Sequence, residues 1–139
     1  MDDYDIQTDA DVKELFRALT LYEDSPDEID DGTLDTQLRA AKIRLSNKID
    51  GDNWYSDSGL GQALLGTTLI MGKCAMENYS VSAWDMGAGS IDVSGAGDVE
   101  QAQFSEWASM VSEGIQAADN AANDAHNDVG ITKTFIGGY

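Results

Sequence analysis

His126, Cys74, the glycines at 87, 89, 95 and 97, and the carboxylates between 27 and 35 are the residues whose types and spacing come nearest to chemistry. Nucleophilic catalysis needs a nucleophile within hydrogen-bond reach of a base. The single imidazole, His126, falls in the Ala-, Asn- and Asp-rich run AADNAANDAHNDV, where it reads as part of a helix's polar face. Cys74 is the lone cysteine, so it excludes an intramolecular disulfide, and inside an apolar run it reads as packing rather than as a nucleophile. The glycines miss the G-x-G-x-x-G spacing of a dinucleotide cradle, and neither a G-x-S-x-G elbow nor a P-loop is present. Reading DEIDDGTLDTQL from Asp27 as a calcium loop puts Gly32 at the sixth position, but Ile29 takes the third and Leu38 replaces the twelfth-position Glu. A di-iron bundle would want Glu-x-x-His pairs facing inward, and none exists. The expectation is a protein that is not an enzyme and holds no metal and no cofactor.

The segment that asks for a partner is GITKTFIGGY, residues 130–139. No acid follows Asp128, although 26 Asp and Glu stand against 8 Lys and Arg for a net charge of −18. Apolar and polar side chains alternate there, as in a strand. An extended arm of this kind offers backbone hydrogen bonds for strand addition, with Ile131, Phe135, Ile136 and Tyr139 as anchors and Lys133 to pair with an acidic surface. The simpler reading is a frayed terminus; yet a frayed end of so acidic a chain would be expected to keep its acids.

The acids are spread along the whole chain. Self-repulsion of that size is screened at ~1 M salt, where the Debye length is about 3 Å, so the composition reads as adaptation to a salty interior such as that of a haloarchaeon or its viruses. From Cys74 to Thr132 there is no Lys or Arg. That stretch cannot neutralise phosphates by releasing counterions, and DNA meets it as a repelling wall. The opening MDDYDIQTDADV has neither the basic region nor the apolar run of a signal peptide. The protein is expected inside a cell, or in something assembled there.

The elements that must carry these residues follow from periodicity. Thr8 caps a helix over about 9–21, where Val12, Leu15, Phe16 and Leu19 make one apolar face. YEDSPDEIDDG, with the only Pro, is a solvated loop. Leu34, Leu38, Ala41, Leu45 and Ile49 predict a second helix ending at Gly51. A third segment, residues 59–81 behind Asp57 or Ser58 as cap, is apolar almost all round and should be the most buried. Gln62, Thr67, Thr68 and Lys73 argue against a membrane span, and Gly61, Gly66 and Gly72 suggest close helix approach. Residues 82–98 form a Gly/Ser-rich loop or hairpin excursion around SIDVS. From Asp98, apolar residues from Phe104 to Val129 step by three and four, predicting one long helix that Gly114 bends. Its Trp107, or the Ala stripe from 118 to 125, is a candidate contact with a neighbour, with core packing the commoner role for any single such residue.

The predicted class is all-α: a small bundle of about four helices over 1–129, with the excursion at 82–98 and an extended docking arm over 130–139. Laid end to end, TDADVKELFRAL, the cationic LRAAKIRLSNKI after the acidic loop, and GSIDVSG before FSEWASMVSEGI resemble the head-to-tail connector, or adaptor, proteins of long-tailed viruses. The similarity is one of pattern and length over most of residues 8–118. It implies a subunit of a ring, generally twelvefold, that joins the portal protein below the vertex and presents a surface to the next neck or tail protein. The virion neck would be its location, after assembly in the host cytoplasm. Genomic DNA would be cargo passing through the lumen, and no membrane is involved. With the composition, the host would be a halophilic archaeon. The alternatives are another neck or tail-completion protein and a cellular haloarchaeal helical protein-binding module.

Overall fold

The computed structural model describes residues 6–20, 30–46, 54, 55 and 58–130, with only the backbone described at 58 and over 121–130. In order they form α1 (Asp9–Thr20), α2 (Asp31–Ser46), α3 (Ser58–Glu77), β1 (Ser80–Asp85), β2 (Ser90–Ser94) and α4 (Asp98–Gly130). The all-α expectation is corrected accordingly: the described chain is mostly helical but includes a two-stranded antiparallel sheet. The excursion is a hairpin, because SIDVS finds a partner in SVSAWD, whose first two residues are strand and not the end of the third helix that the apolar run predicts.

Local chemistry sets the helix ends. Thr8 Oγ1 accepts from Asp11 N at 3.2 Å while Asp11 Oδ2 accepts from Thr8 N at 3.2 Å, a reciprocal cap with Asp in place of the usual Glu. The α2 cap is Asp30, whose Oδ1 accepts from Thr33 N at 2.7 Å. At the other end of α3, Asn78 turns left-handed at φ 61°, and Tyr79 N donates back to Cys74 O at 2.9 Å. That pairing is a Schellman stop, and it frees Ser80 to begin a strand.

The core is built round α3. Residues 61–70 are all buried, and α1, α2 and α4 each pack against that helix. Its glycines are contact points. A Cβ at Gly66 would stand 2.6 Å from Val111 Cγ2 and 3.1 Å from Trp107 O, one at Gly72 would stand 2.5 Å from Phe16 Cζ, and one at Gly61 would touch Ile6. Gly114 does the same from α4, where a Cβ would meet Gly59 O at 2.6 Å and Ala63 N at 2.8 Å. Pairing 66 with 111 and 63 with 114 runs α4 antiparallel to α3. The predicted long helix is present from 98 to 130, and Gly114 serves close approach within it. Of the two roles weighed for Trp107, neighbour contact and core, it takes the core one, edge-on to Phe104 with ring centroids 5.6 Å apart. Ala118 is buried as well, while the 121–125 part of the Ala stripe lies outside the described side chains.

Charged side chains tie α1 to α2. Lys13 reaches Asp35 at 2.9 Å and Asp31 at 3.3 Å, Arg17 reaches Asp31 at 3.4 Å, and Lys42 reaches Asp9 at 3.0 Å. Asp9 also accepts the Tyr55 hydroxyl. Partial burial pushes the Asp9 pKa up, but the hydrogen bonds from Tyr55 and Lys42 and the Lys42 and Lys13 charges outweigh it, leaving Asp9 below the usual carboxylate range. Asp31 is lowered by its hydrogen bond and charge pairing with Lys13 and then by Arg17. A carboxylate held low in the fold contributes stability above its unfolded pKa, and that contribution is lost as pH falls through the folded value.

Candidate interaction surface

The β2 edge of the hairpin is fastened to α4. The Gln101 side chain accepts from Val93 N at 2.9 Å and donates to Ile91 O at 2.8 Å, doing for β2 what a third strand would do. The turn is fixed by Ser112 Oγ, which donates to Gly87 O at 2.8 Å, and by Gly89, whose φ of 75° lets it lie over Ser109 and Ser112. At the base, Tyr79 donates to both Glu100 carboxylate oxygens at 2.6 Å. That hydrogen bond, with some burial, pushes the Tyr79 pKa up to about 12. A group with its folded pKa raised stabilises fully below its unfolded value of about 10 and loses the contribution as pH climbs through the folded value. The stability gap between the wild-type protein and Tyr79→Phe should therefore be full near neutrality and shrink between about pH 10 and 12, as read by urea unfolding at each pH.

Among the described residues the opposite edge, on β1, is open. In an antiparallel pair, a residue that turns its backbone groups outward faces one that does the same. Val93 and Ile91 present theirs to Gln101, so their partners Val81 and Trp84 present N–H and C=O to the outer side. Among the described residues no strand pairs with that edge. A bulge at Ser82, between Val81 and Ala83, adds local twist. Beside it a recess of about 300 Å³ is lined by Ala83, Trp84, Asp85, Ser90, Ile91 and Asp92.

Trp84 joins this edge to α2. Its indole Nε1 is buried without a hydrogen-bond partner among the described residues, and the Arg44 guanidinium lies over its ring, 5.3 Å from the centroid. Arg44, Ile43 and Arg39 are all exposed on α2, Ile43 to 64 %. An unpaired strand edge flanked by a cationic helix face with an apolar centre is equipped to hold another protein by backbone hydrogen bonds, charge and contact.

The sequence marks the cationic run LRAAKIRLSNKI but not what it meets. Arg44 and Trp84 lie 40 positions apart, and only the return of β1 beside α2 brings them together. The one advance signal for the edge was the SIDVS alternation itself. Ile131, Lys133, Phe135, Ile136 and Tyr139, the predicted anchors, lie outside the described residues; Gly130, assigned above to the arm, is the last residue of α4. His126 lies on α4 among residues whose side chains are not described, and Cys74 is buried, which pushes its thiol pKa up and away from reactivity. Among the described residues no cluster of three or more His, Cys, Asp or Glu can hold a metal, and no helix is long and apolar enough to cross a membrane. No protein-family model, curated protein or solved structure matches the chain.

Proposed function

We propose that this chain is a structural virion protein: a head-to-tail connector whose copies form a ring adaptor between the portal vertex and the neck or tail. The observation that carries the reading is the pairing of a packed helical core with surfaces left open for other proteins, above all the outer edge of β1 beside the cationic face of α2. The order of helix, helix, buried helix, hairpin and long helix is the order that the resemblance to adaptor proteins leads one to expect. In this reading residues 131–139 reach the portal or a neighbouring copy, with Ile131, Lys133, Phe135, Ile136 and Tyr139 making the contact. The stretch from 74 to 132, which holds acids and no Lys or Arg, suits a lumen through which DNA slides without sticking.

The test is the mass of the purified protein in multimolar KCl, alone and mixed with the portal protein of a haloarchaeal tailed virus. A ring, or a ring formed on the portal, is the expected result, and deleting 131–139 should abolish docking while the bundle stays folded. A chain that remains monomeric and indifferent to the portal would overturn the proposal in favour of a cellular protein-binding module.

A further inference from the structure

Two helix faces of opposite charge are largely exposed in the described chain, although Arg44 on the first also lies over the Trp84 ring and Ser109 on the second lies beside Gly89 of the hairpin turn. On α2, Arg39, Ile43 and Arg44 are exposed. Among the described residues, the neighbouring cations Lys13 and Arg17 are occupied by Asp31 and Asp35, and Lys42 by Asp9. Arg39 and Arg44 form no ion pair among the described residues, in a chain where acids outnumber bases 26 to 8. On α4, Val99, Ala102, Glu106, Ser109 and Glu113 are exposed and recur at intervals of three and four, which places them on one stripe of the helix. Each face also carries one large exposed apolar side chain: Ile43, at 64 %, sits among the arginines, and Val99, at 85 %, leads the acidic stripe. Both helices bury their other sides against α3, so the two faces point away from the core.

We propose that the α2 face of one copy docks on the α4 stripe of the next, with Arg39 and Arg44 against Glu106 and Glu113, and Ile43 and Val99 adding apolar contact. The inference rests on the reading above that copies of this chain assemble. In a chain of net charge −18, most arrangements of two copies set acid against acid. The α2 face is a described surface where a second copy finds uncompensated positive charge. Used once per pair of copies, the contact is heterologous: each added copy leaves one free α2 face and one free α4 stripe, and growth ends in a closed ring or continues as a filament, whereas a twofold dimer would have to make the α2–α4 contact twice. Salt leaves such a contact its close-range pairs: at ~1 M the Debye length of about 3 Å removes the long-range repulsion between copies while groups in direct contact still interact.

Two charge reversals test it, Arg39→Glu with Arg44→Glu, and Glu106→Lys with Glu113→Lys, read by sedimentation in the salt where the wild-type chain assembles. Each variant alone is expected to run as a monomer, and an equimolar mixture to recover the wild-type mass, because each variant's reversed face fits the other's. All four sites are exposed, and far-UV circular dichroism checks that the fold is kept. As a second variant, Ile43→Asp alone should weaken association at least tenfold. Variants that assemble like the wild type, or monomeric variants that do not recover when mixed, would overturn the docking faces while the assembly reading stands. A wild-type chain that stays monomeric at every salt concentration, both alone and mixed with the portal protein, would overturn the assembly reading itself.

Discussion

Phe16→Ala is expected to destabilise the protein by about 3–5 kcal/mol, the usual range for truncating a fully buried phenylalanine, and Gly72→Ala should rescue part of that loss. The ring has no solvent exposure and lies over Gly72, where an added Cβ would stand 2.5 Å from Cζ and 3.3 Å from Cδ2. In the wild-type background Gly72→Ala therefore overpacks the junction of α1 and α3 and should cost about 1–3 kcal/mol. Without the ring the same methyl enters vacated space, and alanine's better helix propensity, about 1 kcal/mol over glycine, is left uncancelled. The two substitutions should thus be coupled by roughly 2 kcal/mol, opposite to the additivity of distant sites. Urea unfolding of the four proteins measures it, and additive effects would show that α1 does not sit on α3 at this point.

Gly114→Ala is the second large effect, expected at about 2 kcal/mol of lost stability in the middle of a helix where alanine would normally help. The added methyl meets backbone atoms, Gly59 O at 2.6 Å and Ala63 N at 2.8 Å, which cannot swing aside as a side-chain tip can. Relief requires α3 and α4 to move apart, and that loosens the packing of Ala63, Val111 and Ile115, all buried at this contact. Overpacking of about 3 kcal/mol less the helix-propensity gain of about 1 kcal/mol gives the figure. A melting point lowered by on the order of 5–10 °C is the corresponding reading. An unchanged or raised midpoint would mean that Gly114 bends the helix, as its sequence context suggested, and touches nothing.

Those two glycines also show what was legible beforehand. Apolar spacing located α1, α2 and α4 because each buries one stripe, and it marked α3 as the most buried because its apolar residues run all round. Close approach at Gly66 and Gly72 followed from the same run. The ends were harder. Asp30 caps α2 from within a crowd of acids, where any one carboxylate looks like solvated loop. The α3 stop at Asn78 depends on a left-handed residue that is not glycine, so the helix was carried through to Val81 at the cost of the first strand residues. The bulge at Ser82 then breaks the alternation by which β1 would have announced itself. Trp107 was ambiguous for another reason: a stripe position is the same whether the subunit's own helix or a neighbour's covers it. The interaction surface was least legible, since Arg44 over Trp84 and the open edge of β1 exist only once distant segments meet.

The ten consecutive buried residues of α3 also govern how the molecule can move. A helix that gives one side to α1 and α2 and another to α4 leaves no seam along which the bundle divides into halves, since either half would have to carry α3 away from the other. Such a molecule has no central hinge. Its two margins are the hairpin, pinned to α4 by Gln101 and Ser112, and the length of α4 beyond Gly114. Strain applied at one margin is passed through the core as rigid displacement, so that the hairpin and the far end of α4 shift together or not at all.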